Sequence, residues 1–204
     1  MCSSDLGQDI PFEVKGESAR IIQSELSFSR VLELREVKQT FQLTGVTEAP
    51  VLSIGRHFSA PVKINFDYSL EELGFLSRHD SDGFNRWEAG QRLSIALIGA
   101  LESGTNNEQL EEAKQAFKAM MRHHLAAAQR VNDDAVDGAS VAYNLALPGL
   151  AFLGELRGEV NVDTLVAARK AAKSIVADDL YEGLIGAMAA ARSEAPFEMT
   201  PSAV

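Results

Sequence analysis

The sequence contains almost no cysteine: Cys2 is the only one among 204 residues. A single thiol cannot form a disulfide within the chain, and it cannot supply a metal cluster built from several thiolates. The sequence therefore excludes a disulfide framework and a thiolate metal site. This composition is typical of proteins from a reducing compartment, so we expect a cytoplasmic location.

Long apolar runs and a basic excess are missing as well. No segment reaches the length of about 20 apolar residues that a membrane span requires, and no basic and apolar leader stands at the start. The net charge is −10 at pH 7 and the pI is about 4.9. Because nucleic-acid binding needs a basic face, we expect neither a membrane nor a nucleic acid among the partners.

Catalytic motifs are absent too. The histidines are His57, His79, His123 and His124, and no two of them have the His-Glu-x-x-His spacing of a helical zinc site. His123 and His124 are neighbours on a predicted helix and point about 100° apart, so we interpret them as helix-end residues rather than ligands. The Gly-x-Ser-x-Gly and phosphate-loop motifs are also missing. We therefore predict no catalytic, cofactor-binding or metal-binding residues in this chain.

Two local patterns have a structural and a functional interpretation. Asp80, Asp82 and Gly83 look like the start of a calcium loop, but an EF-hand needs its glycine at the sixth position and a glutamate at the twelfth. We therefore predict a helix-capping turn there. Trp87 beside Arg86 could form a cation–π pair or a ligand platform, and anchoring in the core is the favoured interpretation.

The residues that are present have an ordinary globular composition, with 46% hydrophobic and 24% charged residues, so a packed core can form. The acidic excess is uneven. Residues 1–67 carry nine acidic and seven basic residues, and the totals of 29 and 19 leave twenty and twelve for residues 68–204. We interpret the acidic second part as a solubilising surface.

The periodicity of the chain changes once, at residue 69. Residues 62–68 alternate strictly between apolar and polar side chains, which predicts a half-buried strand. Ser69 with Glu72 three positions later predicts a capping box and the start of a helix. Everything before this point has the pattern of strands, and everything after it has the pattern of helices.

Short strands are predicted before the change, at residues 10–16, 20–22, 31–34, 37–43, 50–55 and 62–68. Several short strands separated by turns are typical of a β-sandwich, but an immunoglobulin-type sandwich needs about seven strands and about 100 residues. Residues 7–68 are too few, so we expect a truncated Ig-like sandwich. Residues 1–6 join no pattern, and we expect them to be a translated sequencing-adapter artefact.

Helices are predicted after the change, at residues 70–78, 83–102, 108–130 and 150–157, and from Asn161 or Asp163 to 192. Another helix is predicted to be capped by Asp133 and Asp134 and stopped at Pro148. Successive helices with short loops favour an all-α superhelical array of the HEAT or ARM kind.

Three stretches around residue 69 form a specific pattern. They read Phe58-Ser59-Ala60-Pro61-Val62-Lys63, Phe75-Leu76-x-Arg78-His79 and Phe84-x-Arg86-Trp87-Glu88-Ala89-x-Gln91. The pattern resembles the bacterial alanyl aminopeptidases (aminopeptidase N), which are gluzincin zinc metallopeptidases. The resemblance extends over residues 8–190, through Ile10-Pro11-Phe12, Ala146-Leu147-Pro148-Gly149 and Asp178-Asp179-Leu180.

The resemblance implies a parent enzyme with an N-terminal β domain, a thermolysin-like zinc domain, a small β-sandwich and a helical superhelix. In that family a Gly-x-Met-Glu-Asn segment holds the substrate's amino terminus, and a His-Glu-x-x-His helix with a later glutamate holds zinc. This sequence contains neither motif, so no family site residue is carried onto it. The resemblance implies that zinc belongs to a catalytic domain outside this chain, and that the parent acts on peptides.

We therefore expect a multidomain β + α chain, with residues 7–68 as a partial Ig-like sandwich and residues 69–204 as the N-terminal part of the superhelix. On this hypothesis the chain is a non-catalytic aminopeptidase fragment that packs on the remaining domains and helps to enclose the active-site chamber. The alternative is a self-standing helical-repeat module that binds a protein partner. An upstream reading frame that encodes the two missing motifs would favour the fragment hypothesis over the self-standing module.

Overall fold

The computed structural model describes residues 2–3, 13–15, 19–20, 29–46, 49–58, 60–104, 108–130 and 137–192. A β part comes first and a helical part follows. The predicted division into a β part followed by a helical part is confirmed.

The β part consists of short antiparallel pairs. The strands are β1 (Cys2–Ser3), β2 (Glu13–Lys15), β3 (Ala19–Arg20), β4 (Val31–Leu32), β5 (Gln42–Thr44) and β6 (Val51–Leu52). They pair in a nested order, β3 with β4, β2 with β5 and β1 with β6. β1 lies within residues 1–6, where no strand was predicted, and each of the other strands is shorter than its predicted segment. Leu34 and Val37, predicted as strand residues, are exposed, because apolar alternation alone does not supply a partner strand.

The helical part contains six helices in its described residues. They are α1 (Leu70–His79), α2 (Gly83–Glu102), α3 (Glu108–Ala128), α4 (Gly138–Leu145), α5 (Leu150–Glu155) and α6 (Val162–Ala191). Most bounds agree with the predicted ones within a few residues. The exception is α4, whose N-cap is Asp137. Asp133 and Asp134, predicted as its caps, lie outside the described residues.

Side-chain caps fix where the helices begin. Ser69 accepts a hydrogen bond from the backbone N–H of Glu72, and the Glu72 carboxylate accepts one from the N–H of Ser69, so the predicted capping box is confirmed. Asp82 caps α2, which confirms the helix-capping turn. Asn161 caps α6 by accepting from Thr164 N, and this decides between the two predicted starts.

The core lies between α1, α2, α3 and α6, which pack against one another. Its most deeply buried large apolar side chains are Phe117, Leu93, Leu97, Ile98, Met120, Met121 and Leu153. Gly90 allows α2 and α3 to approach closely, since a Cβ atom there would lie 3.1 Å from the Met120 sulfur. No helix in the described part of the chain is long and apolar enough to cross a membrane.

An unpaired segment, residues 60–68, joins the two parts and is called the strap below. Sequence periodicity predicted a sandwich strand here, and that prediction is wrong for the described structure, in which no strand pairs with the strap. Two backbone hydrogen bonds inside it span only two residues, from Val62 N to Ala60 O (2.9 Å) and from Tyr68 N to Phe66 O (3.2 Å).

The strap keeps the predicted alternation at its C-terminal end. Phe66 and Tyr68 are half-buried, with ring centroids 4.5 Å apart, while their polar neighbours are exposed. Val62 and Ile64 are exposed as well, at 65% and 41%. The alternation of apolar and polar residues therefore does not by itself indicate that a partner strand is present.

Candidate functional site

A buried ion pair joins the β part to the first two helices. Arg56 follows β6, and Asp80 caps the C-terminal end of α1. Their side chains are in contact and are 6% and 0% exposed. The Ser53 hydroxyl donates to the other Asp80 oxygen, and Arg56 Nη2 donates to the Ser81 hydroxyl at 2.8 Å. Because a buried charge is costly unless it is paired, this cluster holds the β part against the turn between α1 and α2.

Asp82 adds a second connection at the same turn. One carboxylate oxygen accepts from the backbone N–H groups of Phe84 and Asn85, both at 3.0 Å, and the other accepts from His57 N at 3.0 Å. His57 and Phe58 have φ angles of 55° and 50°, a left-handed conformation that is uncommon for residues other than glycine. The contact to Asp82 helps to hold this unfavourable backbone conformation in place.

The Asp82 carboxyl is ionised at neutral pH. Burial alone raises its pKa, but the N–H groups of Asn85 and His57 and the charge of Arg56 lower it further than burial raises it. The net pKa lies below the ordinary value for aspartate. Asp82 therefore acts as a hydrogen-bond acceptor and helix cap, and it has no proton to donate to a substrate.

Further hydrogen bonds attach the β part and the strap to α2. Asn85 Nδ2 donates to Ser53 Oγ and to Ile54 O, both at 2.9 Å. Arg92 Nη2 donates to the Phe66 carbonyl at 2.6 Å. Residues of α2 thus contact both the end of the β part and the strap.

Tyr68 ties the strap back to β6. Its hydroxyl donates to the Leu52 carbonyl at 2.8 Å, and the Arg92 guanidinium lies 5.0 Å from its ring centroid. Burial raises the pKa of Tyr68 to about 12, although Arg92 opposes the shift. The phenol therefore stays protonated and serves as a hydrogen-bond donor.

A cavity of about 360 Å³ lies at this junction, between the strap, the β6 end and helices α1 and α2. Its size is within the range of ligand pockets. Among its polar lining residues, Asn85 and Arg92 donate to Ile54 and Phe66 carbonyls. Ser53 and Asp80 also line it, and the Ser53 hydroxyl donates to Asp80 inside the buried cluster with Arg56. We interpret this contact as part of the structural junction rather than as a catalytic constellation.

Three histidines converge at the end of α1. The His123 ring centroid lies 5.5 Å from that of His79 and 5.4 Å from that of His124. His124 is buried, and its burial, followed by the neighbouring His123, lowers its pKa to about 4. Burial also lowers the pKa of His79 and of His123. The rings are therefore neutral at pH 7.

The two neighbouring histidines have a helix-end role, but not the predicted one. We expected cations at the end of their own helix, α3, and a neutral ring cannot serve as one. Instead, His123 and His124 lie against the last turn of α1, where the backbone of Arg78 and Ser77 partly opposes the lowering of their pKa values by burial.

Trp87 does not anchor the core. It is half-buried and lies 5.6 Å from the Phe84 ring, beside a second cavity of about 290 Å³ that Tyr143 and Phe152 also line. Arg86 donates to the Asp80 carbonyl at 2.6 Å. The core-anchoring interpretation was wrong because a large aromatic side chain at helical spacing can also lie at a surface groove.

The absence of metal-binding residues from this chain stays a prediction. No three histidine, cysteine, aspartate or glutamate side chains are placed there so that they could hold an ion. These residues do not fit the zinc that the family resemblance implies, so we derive no catalytic step through zinc here.

The junction cluster was missed by the sequence analysis. Asp80 and Asp82 were interpreted as one capping turn, and this is correct for Asp82. The pairing of Asp80 with Arg56 joins positions 24 apart, and no local pattern predicts it. The signal that could have suggested it is an arginine next to the apolar end of a strand, where a buried charge requires a partner.

Comparisons with known proteins match both parts of the chain. Residues 6–67 match a family described as a domain of unknown function (DUF3458) with an Ig-like fold. Residues 70–204 match the family described as DUF3458_C, ARM repeats. Among curated proteins, the chain is 29% identical over 157 residues to Aminopeptidase N of Escherichia coli, and this match covers 76% of the chain. It is 33% identical over 163 residues to Aminopeptidase N of Caulobacter vibrioides, which covers 78% of this chain.

These matches cover only 17% and 18% of the two relatives, so the chain spans less than a fifth of their length. Among solved structures, aminopeptidase A of Legionella pneumophila, crystallised with aspartic acid, has the same fold over 93% of this chain and 21% of its own. The TM-score is 0.59 and the identity 22%. The chain is homologous to the C-terminal region of aminopeptidase N. It belongs to the DUF3458_C family of ARM-repeat domains, preceded here by the DUF3458 Ig-like domain.

Proposed function

We propose that this chain is a non-catalytic part of a zinc-dependent aminopeptidase, and that its helices help to enclose the chamber in which peptides lose their N-terminal residues. The observation that carries the proposal is the match of both domains to the C-terminal region of aminopeptidase N. In this proposal the zinc and the catalytic residues belong to another domain of the parent protein.

The junction supports a structural role. The ion pair between Arg56 and Asp80 and the cap formed by Asp82 fix the Ig-like part against α1 and α2. A fixed angle between these domains is what a wall of an enclosed chamber needs. The single cysteine is consistent with a cytoplasmic parent, and we include that location in the proposal.

A chimeric enzyme tests the proposal. The matched region of Caulobacter vibrioides Aminopeptidase N is replaced by this chain, and hydrolysis of an alanyl amide is measured. We expect the chimera to retain activity and the isolated chain to have none. A matched variant, Phe117→Asp, places a charge in the core and should abolish activity of the chimera by unfolding this part.

Two results contradict the proposal. One is turnover by the purified chain alone, which would place catalytic residues inside it. The other is a chimera that is folded, by its circular dichroism and cooperative melting, and has no activity. The self-standing binding module predicts that second result, because such a module would not form the wall of the chamber.

A further inference from the structure

We propose that the cavity between the strap, the end of β6 and helices α1 and α2 binds a small apolar carboxylic acid. The apolar chain of the acid lies among the apolar side chains of the cavity, and its carboxylate pairs with Arg92. The proposal concerns this chain alone and does not depend on the aminopeptidase role. It rests on the lining of the cavity, on the hydrogen bonds of Arg92 and on the balance of charge around the cavity.

The cavity has the size and the lining that an apolar chain requires. Its volume is about 360 Å³, which is near the lower end of the range of ligand pockets. Its apolar lining comes from the strap, from the β6 side and from both helices, and includes Ile54, Phe58, Ile64, Leu73, Leu76 and Phe84. Ile54, Ile64 and Phe84 are 38%, 41% and 43% exposed, so a ligand would bury apolar surface that the chain leaves open to water.

Arg92 brings hydrogen-bond donors to this cavity that the chain does not use. Its Nη2 donates to the Phe66 carbonyl at 2.6 Å, and its guanidinium lies 5.0 Å from the Tyr68 ring centroid, so two contacts hold the side chain in place. A guanidinium carries several further N–H groups, and the described residues provide no second hydrogen bond for them. A carboxylate is the acceptor that matches these groups best, through paired N–H···O bonds.

The charges around the cavity favour an anion over a cation. Besides Arg92, the charged side chains that line it are Lys63, Asp80 and Glu88. Asp80 is already paired with the buried Arg56, whereas Lys63 and Glu88 are exposed. Two positive side chains are therefore balanced by only one available carboxylate, and the carboxylate of a bound acid would be attracted to the site.

Octanoate is the first probe, and its binding to the purified chain is measured by calorimetry and by the NMR shifts of backbone amides. We expect a dissociation constant on the order of 1 mM, because a ligand of about ten non-hydrogen atoms has little surface to bury. The shifted amides should lie in the strap and in α2 and not in α6. Octanol should bind about tenfold more weakly and octylamine more weakly still, because neither offers a carboxylate to Arg92.

A second probe distinguishes two sources of such an acid. Octanoate represents a fatty acid, and N-acetyl-leucine represents an acylated apolar amino acid. The probe with the lower dissociation constant identifies the source. The proposal is overturned if neither acid binds, if octylamine binds as well as octanoate, or if the shifted amides lie in another part of the chain.

Three charge variants test the role of Arg92. Arg92→Gln should weaken octanoate binding about tenfold and leave octanol binding unchanged. Lys63→Gln should weaken octanoate binding about twofold. Glu88→Gln should strengthen it by about the same factor, because Glu88 lies one helical turn before Arg92 and competes for its guanidinium. A gain of affinity cannot arise from misfolding. Unchanged binding in Arg92→Gln or weaker binding in Glu88→Gln overturns the proposal.

A pair of valine variants tests the position of the ligand. Val62 lines the cavity and is 65% exposed, so Val62→Trp can fill the cavity without crowding the core. This variant should weaken octanoate binding about fivefold or more, because the indole takes the space of the apolar chain. Val162→Trp changes a valine of α6 that is 64% exposed and should leave binding unchanged. Equal losses in the two variants, or no loss in Val62→Trp, would place the acid elsewhere and overturn the proposal.

Discussion

The helical part and the β part of this chain bury their side chains in opposite ways. The helical part has a continuous apolar core that runs from Leu73 in α1 to Ala187 in α6. In the β part the apolar cluster is only partly buried, and it consists of Val14, Leu43, Val46 and Leu52. The helices are therefore stabilised by their own packing, whereas the strands are not.

The β part is held by polar contacts to the helices. The described residues of the β part that are fully buried are Ser53 and Arg56, and both belong to the cluster around Asp80. We infer that the β part depends on the helical part for its order. The dependence of the helical part on the strands is weaker, since all the buried residues of the core cluster belong to helices and Val51 is the strand residue that packs against it.

The largest expected effect is in the helical core. Phe117→Ala should lower the free energy of unfolding by about 4 kcal/mol, because it removes a fully buried ring and leaves a cavity. Urea unfolding followed by helical circular dichroism measures this. The matched variant Phe41→Ala, in the half-buried β part, should cost about 1 kcal/mol or less. Equal losses would contradict the contrast between the two parts.

The second largest effect is expected at the junction between the β part and the helices, where Arg56 pairs with Asp80. Asp80→Ala leaves the Arg56 charge buried without its partner, and this should cost about 3 kcal/mol. Hydrogen exchange should show that β6 and β5 lose protection first, while the α2 and α3 amides stay protected. This outcome would show that the ion pair orders the β part.

Two further variants isolate the ion pair. Removing both partners in Arg56→Met with Asp80→Leu should recover much of the lost stability, because no unpaired charge stays buried. Asp178→Ala changes an exposed aspartate of α6 and should stay within about 0.5 kcal/mol of the parent. A loss in Asp178→Ala as large as in Asp80→Ala would mean that overall charge, rather than the buried pair, sets the stability.

The same contrast explains what the sequence could predict. The helix starts at Ser69 and Asp82 follow from caps that lie within three residues of their partners, so local patterns identified them. For α6 the local pattern left Asn161 and Asp163 open, and the structure shows Asn161 as the cap. Local chemistry determined these elements, and the prediction of them is accurate.

Features that depend on distant residues could not be predicted. The strap has the pattern of a strand, but whether a strand pairs with it depends on the rest of the fold. The Arg56–Asp80 pair and the contact of His124 with the Ser77 backbone join elements that are far apart in sequence. No periodicity encodes these contacts, so the junction and the histidine cluster appear only in three dimensions.

As the pH falls, the helical part should lose stability at a higher pH than the junction does. Because burial lowers the pKa of His124 to about 4, the unfolded state binds its proton more readily than the folded state. The stabilisation of the folded state by the neutral His124 ring is complete above the ordinary histidine pKa of about 6.5. It is lost as the pH falls toward about 4. Between pH 7 and pH 5 the free energy of unfolding should fall by about 2 kcal/mol.

Substitution of the histidine tests this assignment against the other titrating groups. The titratable and charged neighbours that lower the pKa of His124 further are His123 and Arg86, whereas His79, Arg78 and Arg86 lower the pKa of His123. His124→Gln keeps a polar side chain and removes the titration, so unfolding at pH 7 and at pH 5 should differ little. His123→Gln, in an exposed position, should leave most of the pH dependence. If the pH dependence between pH 7 and pH 5 persists in His124→Gln, His79 or His123, whose pKa values burial also lowers, controls the transition instead. Asp82 cannot, because its pKa lies below the ordinary aspartate value and its carboxyl is ionised in both the folded and the unfolded state above pH 5.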